Sequence, residues 1–425
     1  MNYFGVIGNR DYIKIKGQKR PYWEFLDVQP DGWLSSLVYK RKDVPQGKQM
    51  IWDCGAWSYR LEDEPTYTPQ ECSELYREYA PEGSMVIAPD HMLIPGVDNV
   101  KRRGINLKNA EEFLRVVDSA HKPMATIHGE TLGERVDMAL ALRHMGYRHL
   151  AIGGIAAQAA RKAMATEIVQ TLRAAVPDVH LHVLGLSSPE YARRWHEMRV
   201  DSFDGSSHFK QAFTAGAWFS REGSRLIKHQ AARPGEDVSI VAPMCECRAC
   251  SLLREDGIDT RSYGSNENNM GRAAHNQNIL MQAQKAAITQ KIVLVACCGK
   301  KLPFAAPAKE LYQSELFRKS RAYAEQNGDK WLILSALHGV IHPDATIEPY
   351  DVTLNDMSAQ ARREWSAKVA GQLSEYRDAQ MTVLAGQNYC GWMDGFNVAR
   401  PMEGLGIGQQ LAFLLSAVKS QKELF

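Results

Sequence analysis

The sequence predicts an α/β protein in which a (β/α)8 barrel of the TIM type precedes a smaller α/β domain. The first reason is composition: the 425 residues, 44 % apolar and 24 % charged, describe a folded protein that is too long for one ordinary domain. The second reason is the alternation of short apolar runs with amphipathic stretches through the first half of the chain. This alternation is typical of parallel strands that are connected by helices.

Seven short apolar runs predict the strands of the barrel. Between several of them, apolar residues recur at three- and four-residue spacing, which indicates helices. A closed barrel needs an eighth strand, for which the segment 238–243 is the candidate. The seven runs are 3–7, 50–53, 85–90, 124–128, 149–153, 182–185 and 200–204.

Polar or glycine residues stand where several of these strands end. In barrels of this type, side chains at the carboxyl ends of different strands converge on the active site. One aspartate at such a position is better explained as a helix cap or a loop turn, but three at three strand ends favour a functional site. The residues are Asp53, Asp90, His128 with Gly129, Gly153 with Gly154, Gly185 and Asp204.

A cysteine cluster follows the barrel. Cys245, Cys247 and Cys250, with His275 further along, have the spacing of a tetrahedral zinc site. Three thiolates and one imidazole fill all four coordination positions, so the Zn²⁺ is expected to be structural.

The strand pattern starts afresh at about residue 291, which predicts a domain boundary near Gln290. The expected division is a barrel at 1–232, a zinc-binding subdomain with a closing helix at 233–290, and a C-terminal α/β domain of uncertain role at 291–425. In this last domain, Lys300, Lys301 and His338 follow predicted strands. They either contact phosphate or nucleic acid or are solvated capping residues, and docking of target DNA or a partner is favoured over a second reaction.

Membrane insertion and secretion are not expected. No apolar run approaches the roughly 20 residues that span a bilayer, and the first residues lack a basic start and a long apolar stretch. We therefore expect a cytoplasmic protein. The net charge of +2 means that any affinity for nucleic acid must come from a local patch.

Over about residues 45–290, the chain resembles the queuine/archaeosine tRNA-guanine transglycosylases. The resemblance implies a (β/α)8 barrel with a structural zinc subdomain, and an exchange of guanine for a 7-deazaguanine. The motifs that carry it are D-C-G-A-W at 53–57, P-D at 89–90, I-H-G at 127–129, I-G-G-I at 152–155, V-D-S-F-D at 200–204, and the cysteines with His275 and Asn276.

The resemblance also implies roles for individual residues. Asp204 attacks C1′ of the sugar, and Asp53 is the general acid and base for the leaving and entering bases. Asp90 accepts hydrogen bonds from the Watson–Crick edge of the purine. The other base-binding positions are His128, Gly129, Gly153, Gly154 and Phe203.

Departures from the family pattern point to its DNA-modifying branch, the DpdA-type DNA-guanine transglycosylases. The two arginines that follow the nucleophile in the tRNA enzymes are absent from G-S-S-H-F-K at 205–210. Ala159 replaces a glutamate that pairs with a charged base, which favours the neutral base preQ0. DNA and free preQ0 are thus the expected partners, and this branch also implies a partner ATPase. Phosphate contacts are expected from Lys101, Arg102, Arg103 and Lys210, unless these are only solvated surface residues.

Two other functions stay open. One is a tRNA-guanine transglycosylase, against which the missing arginines count. The other is a non-catalytic nucleic-acid-binding paralogue, against which the retention of Asp53, Asp90 and Asp204 counts.

Overall fold

The computed structural model describes residues 1–9, 11–156, 162–377 and 379–422. The chain forms two compact units, Met1–Ile288 and Thr289–Phe425, each of which is described by itself. Within the described residues, no helix is both long and apolar enough to cross a membrane.

The first unit contains a closed barrel of eight parallel strands, in the order β1-β10-β9-β8-β7-β6-β5-β4, and this confirms the predicted fold class. Two antiparallel hairpins, β2-β3 and β11-β12, lie outside the barrel. The strands are β1 (Asn2–Val6), β2 (Tyr12–Ile15), β3 (Gln18–Pro21), β4 (Gly32–Ser36), β5 (Gln49–Asp53), β6 (Met85–Ile87), β7 (Lys122–Ile127), β8 (His149–Ile152), β9 (His180–Val183), β10 (Ser202–Asp204), β11 (Ala217–Glu222) and β12 (Arg225–Gln230).

Helices connect the barrel strands and continue into the cysteine-rich segment. Two of them begin with a capping box. The side chains of Thr68 and Thr131 each accept the backbone N–H of the glutamate three residues later, and the side chain of that glutamate accepts the backbone N–H of the threonine. The helices of this unit are α1 (Pro69–Tyr79), α2 (Asn99–Val116), α3 (Leu132–Met145), α4 (Lys162–Ala175), α5 (Pro189–Glu197), α6 (Ser207–Thr214), α7 (Val238–Val241), α8 (Arg248–Glu255) and α9 (Asn266–Ile288).

The eighth strand is β4, so the prediction of a strand at 238–243 is wrong. That segment contains the short helix α7 instead. β4 pairs with β1 on one side and β5 on the other and thereby closes the barrel. Glycine at position 32 allows β4 to pair closely with β1, because a Cβ there would lie 2.3 Å from the ring of Phe4.

Side chains alternate between the interior of the barrel and the layer under its helices. On β9 and β10, His182 and Asp204 share one side and are hydrogen-bonded to each other. Leu181, Val183 and Phe203 take the other side and belong to the apolar core under the helices. Polar chemistry is thus confined to the interior face of these two strands.

The second unit is a five-stranded sheet in the order β16-β15-β13-β18-β19, in which only β16 is antiparallel. Helix α12 covers one face with Trp365 and Val369, whereas α11 and α13 cover the other. The elements are β13 (Lys291–Ala296), β14 (Ala306–Pro307), α10 (Ala308–Leu311), α11 (Glu315–Asn327), β15 (Lys330–Ser335), β16 (Gly339–Ile341), β17 (Thr346–Ile347), α12 (Ala359–Gln372), β18 (Gln380–Leu384), β19 (Asn397–Ala399) and α13 (Ile407–Lys422).

Candidate active site and metal centre

Three carboxyl groups meet at the carboxyl end of the barrel. Asp53 ends β5, Asp90 follows β6, and Asp204 ends β10. Burial raises the pKa of Asp53 to about 7, and the nearby charges of Asp90 and Asp204 contribute to this rise. A carboxyl group with such a pKa can both hold and release a proton at neutral pH.

The two oxygens of Asp204 have different surroundings. Oδ1 accepts the Nε2–H of His182 at 3.1 Å and the backbone N–H of Gly185 at 3.0 Å. Oδ2 accepts no hydrogen bond from any residue that the structure describes. The side chain is only 8 % exposed. One oxygen is therefore anchored, whereas the other has no partner among the described residues.

A chain of hydrogen bonds runs from Asp204 into the barrel. With Nε2 of His182 as the donor to Asp204, Nδ1 of the same neutral ring is an acceptor. Nδ1 then accepts the hydroxyl of Ser202 at 2.8 Å, and Oγ of Ser202 accepts Nε2–H of His180 at 2.7 Å. Burial lowers the pKa of His180 to about 4, so its ring is neutral at pH 7 and donates from Nε2. Sequence reasoning missed this set, although histidines at two-residue spacing in an apolar strand were a signal.

Asp90 is held by two side chains from neighbouring strand ends. His128 donates Nε2–H to Oδ2 at 2.5 Å, and the thiol of Cys54 donates to Oδ1 at 2.9 Å. Burial alone would raise the pKa of Asp90, but the hydrogen bond and charge of His128, with the bond from Cys54, lower it below its ordinary value. Asp90 is therefore ionised at neutral pH, and His128 contacts it directly.

Gly153 and Gly154 form a tight loop after β8. A Cβ on Gly153 would lie 2.5 Å from Cγ2 of Thr126 and 2.8 Å from Cε1 of His128. Arg135 donates to the carbonyl of Gly153 at 2.9 Å and fixes the loop. A cleft of about 340 Å³ lies beside it, and His128, Gly129 and Gly154 are part of its lining. Ala159, the position on which the choice of base was predicted, lies outside the described residues.

Phe203 does not line this site, and the prediction that it contacts the base is wrong. Its side chain is 2 % exposed, and its ring centroid lies 5.4 Å from that of Tyr3 in the core under the helices. The physical reason is strand alternation, since Asp204 faces the interior and its neighbour must face outward.

The predicted phosphate-binding residues differ in availability. Arg102 is buried and donates to the carbonyls of Arg60 and Met92, at 2.9 and 2.7 Å, so its prediction as a phosphate contact is wrong. Lys101 pairs with Glu64 at 3.0 Å and Arg103 pairs with Glu134. Lys210 is exposed on α6.

The four cysteine and histidine residues of the second motif come together around one point. Cys245 and Cys247 precede α8, Cys250 is on α8, and His275 is on α9; the four ligand atoms lie within 4.8 Å of one another. Nε2 of His275 donates to the carbonyl of Phe219 at 2.7 Å, which leaves Nδ1 facing the thiols. The cluster can hold a metal ion.

One comparison with known proteins bears on the kind of function. Over 187 residues the chain is 27 % identical to a DNA-guanine transglycosylase of Salmonella montevideo, which covers 40 % of this chain and 43 % of that protein. The match thus spans less than half the length of this relative. It supports the transglycosylase superfamily and a guanine transglycosylase kind of function.

The other similarities carry no known activity. The chain is 29 % identical over 154 residues to the uncharacterized protein YfjM of Bacillus subtilis (strain 168), across 32 % of this chain and 99 % of that protein. Residues 292–416 match a family of unknown function, DUF6884. The function of the second unit therefore has to be inferred from its structure.

Proposed function

We propose that this protein exchanges guanine in DNA for the 7-deazaguanine base preQ0 by a double displacement that retains configuration. The observation that carries the proposal is the asymmetric hydrogen bonding of Asp204. His182 and the N–H of Gly185 fix Oδ1, while Oδ2 has no partner among the described residues. This is what a carboxylate nucleophile needs: a fixed orientation, and one oxygen that does not have to break a hydrogen bond to attack.

In the first step, Oδ2 of Asp204 forms a bond to C1′ of the deoxynucleotide as the bond from C1′ to N9 of guanine breaks. The bonding electrons leave with guanine, which takes a proton from Asp53. In the second step, Asp53 removes a proton from preQ0, whose nitrogen attacks C1′ and releases Asp204. Two inversions give net retention, as in retaining glycosidases.

The acid and base role of Asp53 is supported by its pKa of about 7. A group that titrates near the working pH is suited to give a proton to the leaving base and take one from the entering base. Asp90 differs, because the donors around it keep it ionised. An ionised Asp90 can accept hydrogen bonds from the N–H groups of a guanine-type edge, with the backbone of Gly153 and Gly154 beside it.

The choice of polymer and of base rests on the sequence and on the relative. The relative is a DNA-guanine transglycosylase, and this chain lacks the two arginines of the tRNA enzymes. A guanine in duplex DNA has to leave the stack to reach buried carboxylates. The exposed Trp57, 67 % accessible and four residues after Asp53, is suited to stack on a displaced base. Ala159 favours the neutral preQ0, and an ATPase partner is part of the same proposal.

Zinc is the metal that suits the second motif, because three thiolates and an imidazole match its usual tetrahedral ligand set. When bound, it would join the loop before α8 to α9 and stabilise the fold. None of these four residues takes part in the exchange.

The direct test is incubation of the wild-type protein with duplex DNA or tRNA, each with preQ0, followed by mass spectrometry of the digested nucleosides. We expect a 7-cyano-7-deaza-deoxyguanosine product from DNA, and none with Asp204→Ala. Product from tRNA alone would favour the tRNA enzyme, and product from neither would favour a non-catalytic paralogue. Competition with the charged base preQ1 tests base choice, and equal use of both would contradict it.

A further inference from the structure

A cavity of about 180 Å³ lies at the carboxyl end of the sheet in the second unit. The chain passes from β13 to β15 on one side of β13 and then to β18 on its other side. The carboxyl ends of β13 and β18 therefore form a topological switch point, the place where open α/β sheets bind their ligands. The cavity is lined by residues 296–298, at and just after the end of β13, and by residues 384–386, at and just after the end of β18.

The lining indicates an uncharged ligand with an apolar body. Among the described residues, no aspartate, glutamate, lysine, arginine or histidine lines the cavity. Much of the wall is apolar, with Leu316, Phe317, Leu384 and Met402 among its members. A phosphate would meet no cationic side chain here. The volume is also below the roughly 300–1,000 Å³ of sites for drug-sized ligands, so a single ring system fits better than a nucleotide.

Two polar side-chain atoms in the lining, Oγ of Ser320 and Oε1 of Gln410, make no hydrogen bond within the described part of the chain. Ser320 on α11 is 2 % exposed, and its hydroxyl makes no hydrogen bond to any residue that the structure describes. This hydroxyl is therefore free to donate to a ligand in the cavity. Gln410 on α13 donates Nε2–H to the carbonyl of Leu405 at 2.7 Å, while its Oε1 has no donor within the described part of the chain. The cavity thus offers the hydroxyl of Ser320 as a donor and the amide oxygen of Gln410 as an acceptor.

We propose that this cavity binds an uncharged nucleobase with a lactam edge, such as hypoxanthine or guanine. The lactam N–H would donate to Oε1 of Gln410, and the adjacent carbonyl would accept the hydroxyl of Ser320. The apolar wall would cover the ring system. This site goes beyond the proposed function, because it lies in the second unit and takes no part in the exchange at Asp204.

Ligand binding in the cavity can be followed through the reactivity of two thiols in its lining. Cys297 and Cys298 are half-buried and border the cavity, whereas Cys390, in the same unit, is buried and outside the lining. The full-length protein is treated with N-ethylmaleimide, and the alkylation rate of each cysteine is followed by peptide mass spectrometry. With hypoxanthine at about ten times its Kd, we expect alkylation of Cys297 and Cys298 to slow by about tenfold, in proportion to occupancy.

Controls distinguish a base bound in the cavity from a general slowing of the thiol reaction. Adenine lacks the lactam edge and should protect weakly, and inorganic phosphate should not protect. Ser320→Ala should raise the Kd for hypoxanthine by about tenfold, the usual loss for one buried hydrogen bond, whereas Ser366→Ala, a hydroxyl of α12 outside the lining, should not. Unchanged alkylation with hypoxanthine would overturn the proposal, as would protection by phosphate alone or equal slowing at Cys390. Because the readout is local to these cysteines, it is independent of whether the barrel exchanges guanine.

Discussion

Nε2 of His182 lies 3.1 Å from Oδ1 of Asp204, inside the barrel and fully buried. The imidazole is itself oriented, because Ser202 occupies its other nitrogen. The ring also packs against Phe4 in a T-shaped contact, with centroids 5.7 Å apart. In the proposed function, His182 is therefore a positioning residue for Asp204, because it anchors Oδ1 and leaves Oδ2 for the attack.

Replacing His182 by leucine should lower kcat for base exchange by about 100-fold, a loss typical of a misplaced reacting group. The KM for DNA should change little, because His182 lies below the surface that DNA would contact. His182→Gln, which keeps an N–H donor, should recover part of the rate. Single-turnover formation of the covalent adduct measures the effect. An unchanged rate in a folded His182→Leu protein would remove this role.

Replacement of Asp204 and replacement of Asp53 should block the exchange at different steps. Asp204→Ala should abolish base exchange and the covalent adduct between enzyme and DNA that is trapped under denaturing conditions. Asp53→Ala should still form some adduct, but transfer to preQ0 should stall because no group takes its proton. Gel analysis with and without preQ0 distinguishes the two. If Asp204 only capped the following segment, its loss would cost about 1 kcal/mol and leave exchange intact.

The raised pKa of Asp53 predicts a pH-dependent stability difference. The folded state prefers the neutral carboxyl, so the contribution of Asp53 is full below pH 3.8 and is lost as the pH rises toward 7. Asp53→Asn stays neutral throughout. Its melting temperature should therefore rise relative to wild type from pH 4 to 7 and then level off. Asp63→Asn, at an exposed aspartate, is the matched control, and a constant difference for Asp53→Asn would contradict the assignment.

The metal centre should be a folding element. We expect one tightly held zinc per chain by elemental analysis, and Cys247→Ser should lose it together with solubility, because structural zinc contributes folding free energy. Cys298→Ser, in the second unit, should keep the metal. A stable, metal-free and fully active Cys247→Ser protein would refute a structural role.

Residue type and position together predicted much of the site, and side-chain direction accounts for most of what was missed. The three aspartates were found because they end strands, and the metal cluster because of its spacing. β4 was missed since G-W-L-S-S contains no β-branched residue, and only its packing on Phe4 shows why a glycine starts it. His182 was missed because its importance depends on a partner 22 residues away.

Side-chain direction also decides what the run Lys101–Arg102–Arg103 can contact. Successive helical residues point about 100° apart, so three consecutive cations cannot all face a DNA backbone. Arg102 faces inward and donates hydrogen bonds to the carbonyls of Arg60, Glu62 and Met92.

Arg102→Ala should therefore destabilise the first unit by about 1–3 kcal/mol through unsatisfied carbonyls, with the salt dependence of DNA binding unchanged. Lys210→Ala should leave stability unchanged and reduce the slope of log K against log salt by about 0.9, the loss of one phosphate contact. Fluorescence anisotropy between about 50 and 200 mM salt separates the two, and a reduced slope in a fully folded Arg102→Ala protein would restore it as a phosphate contact.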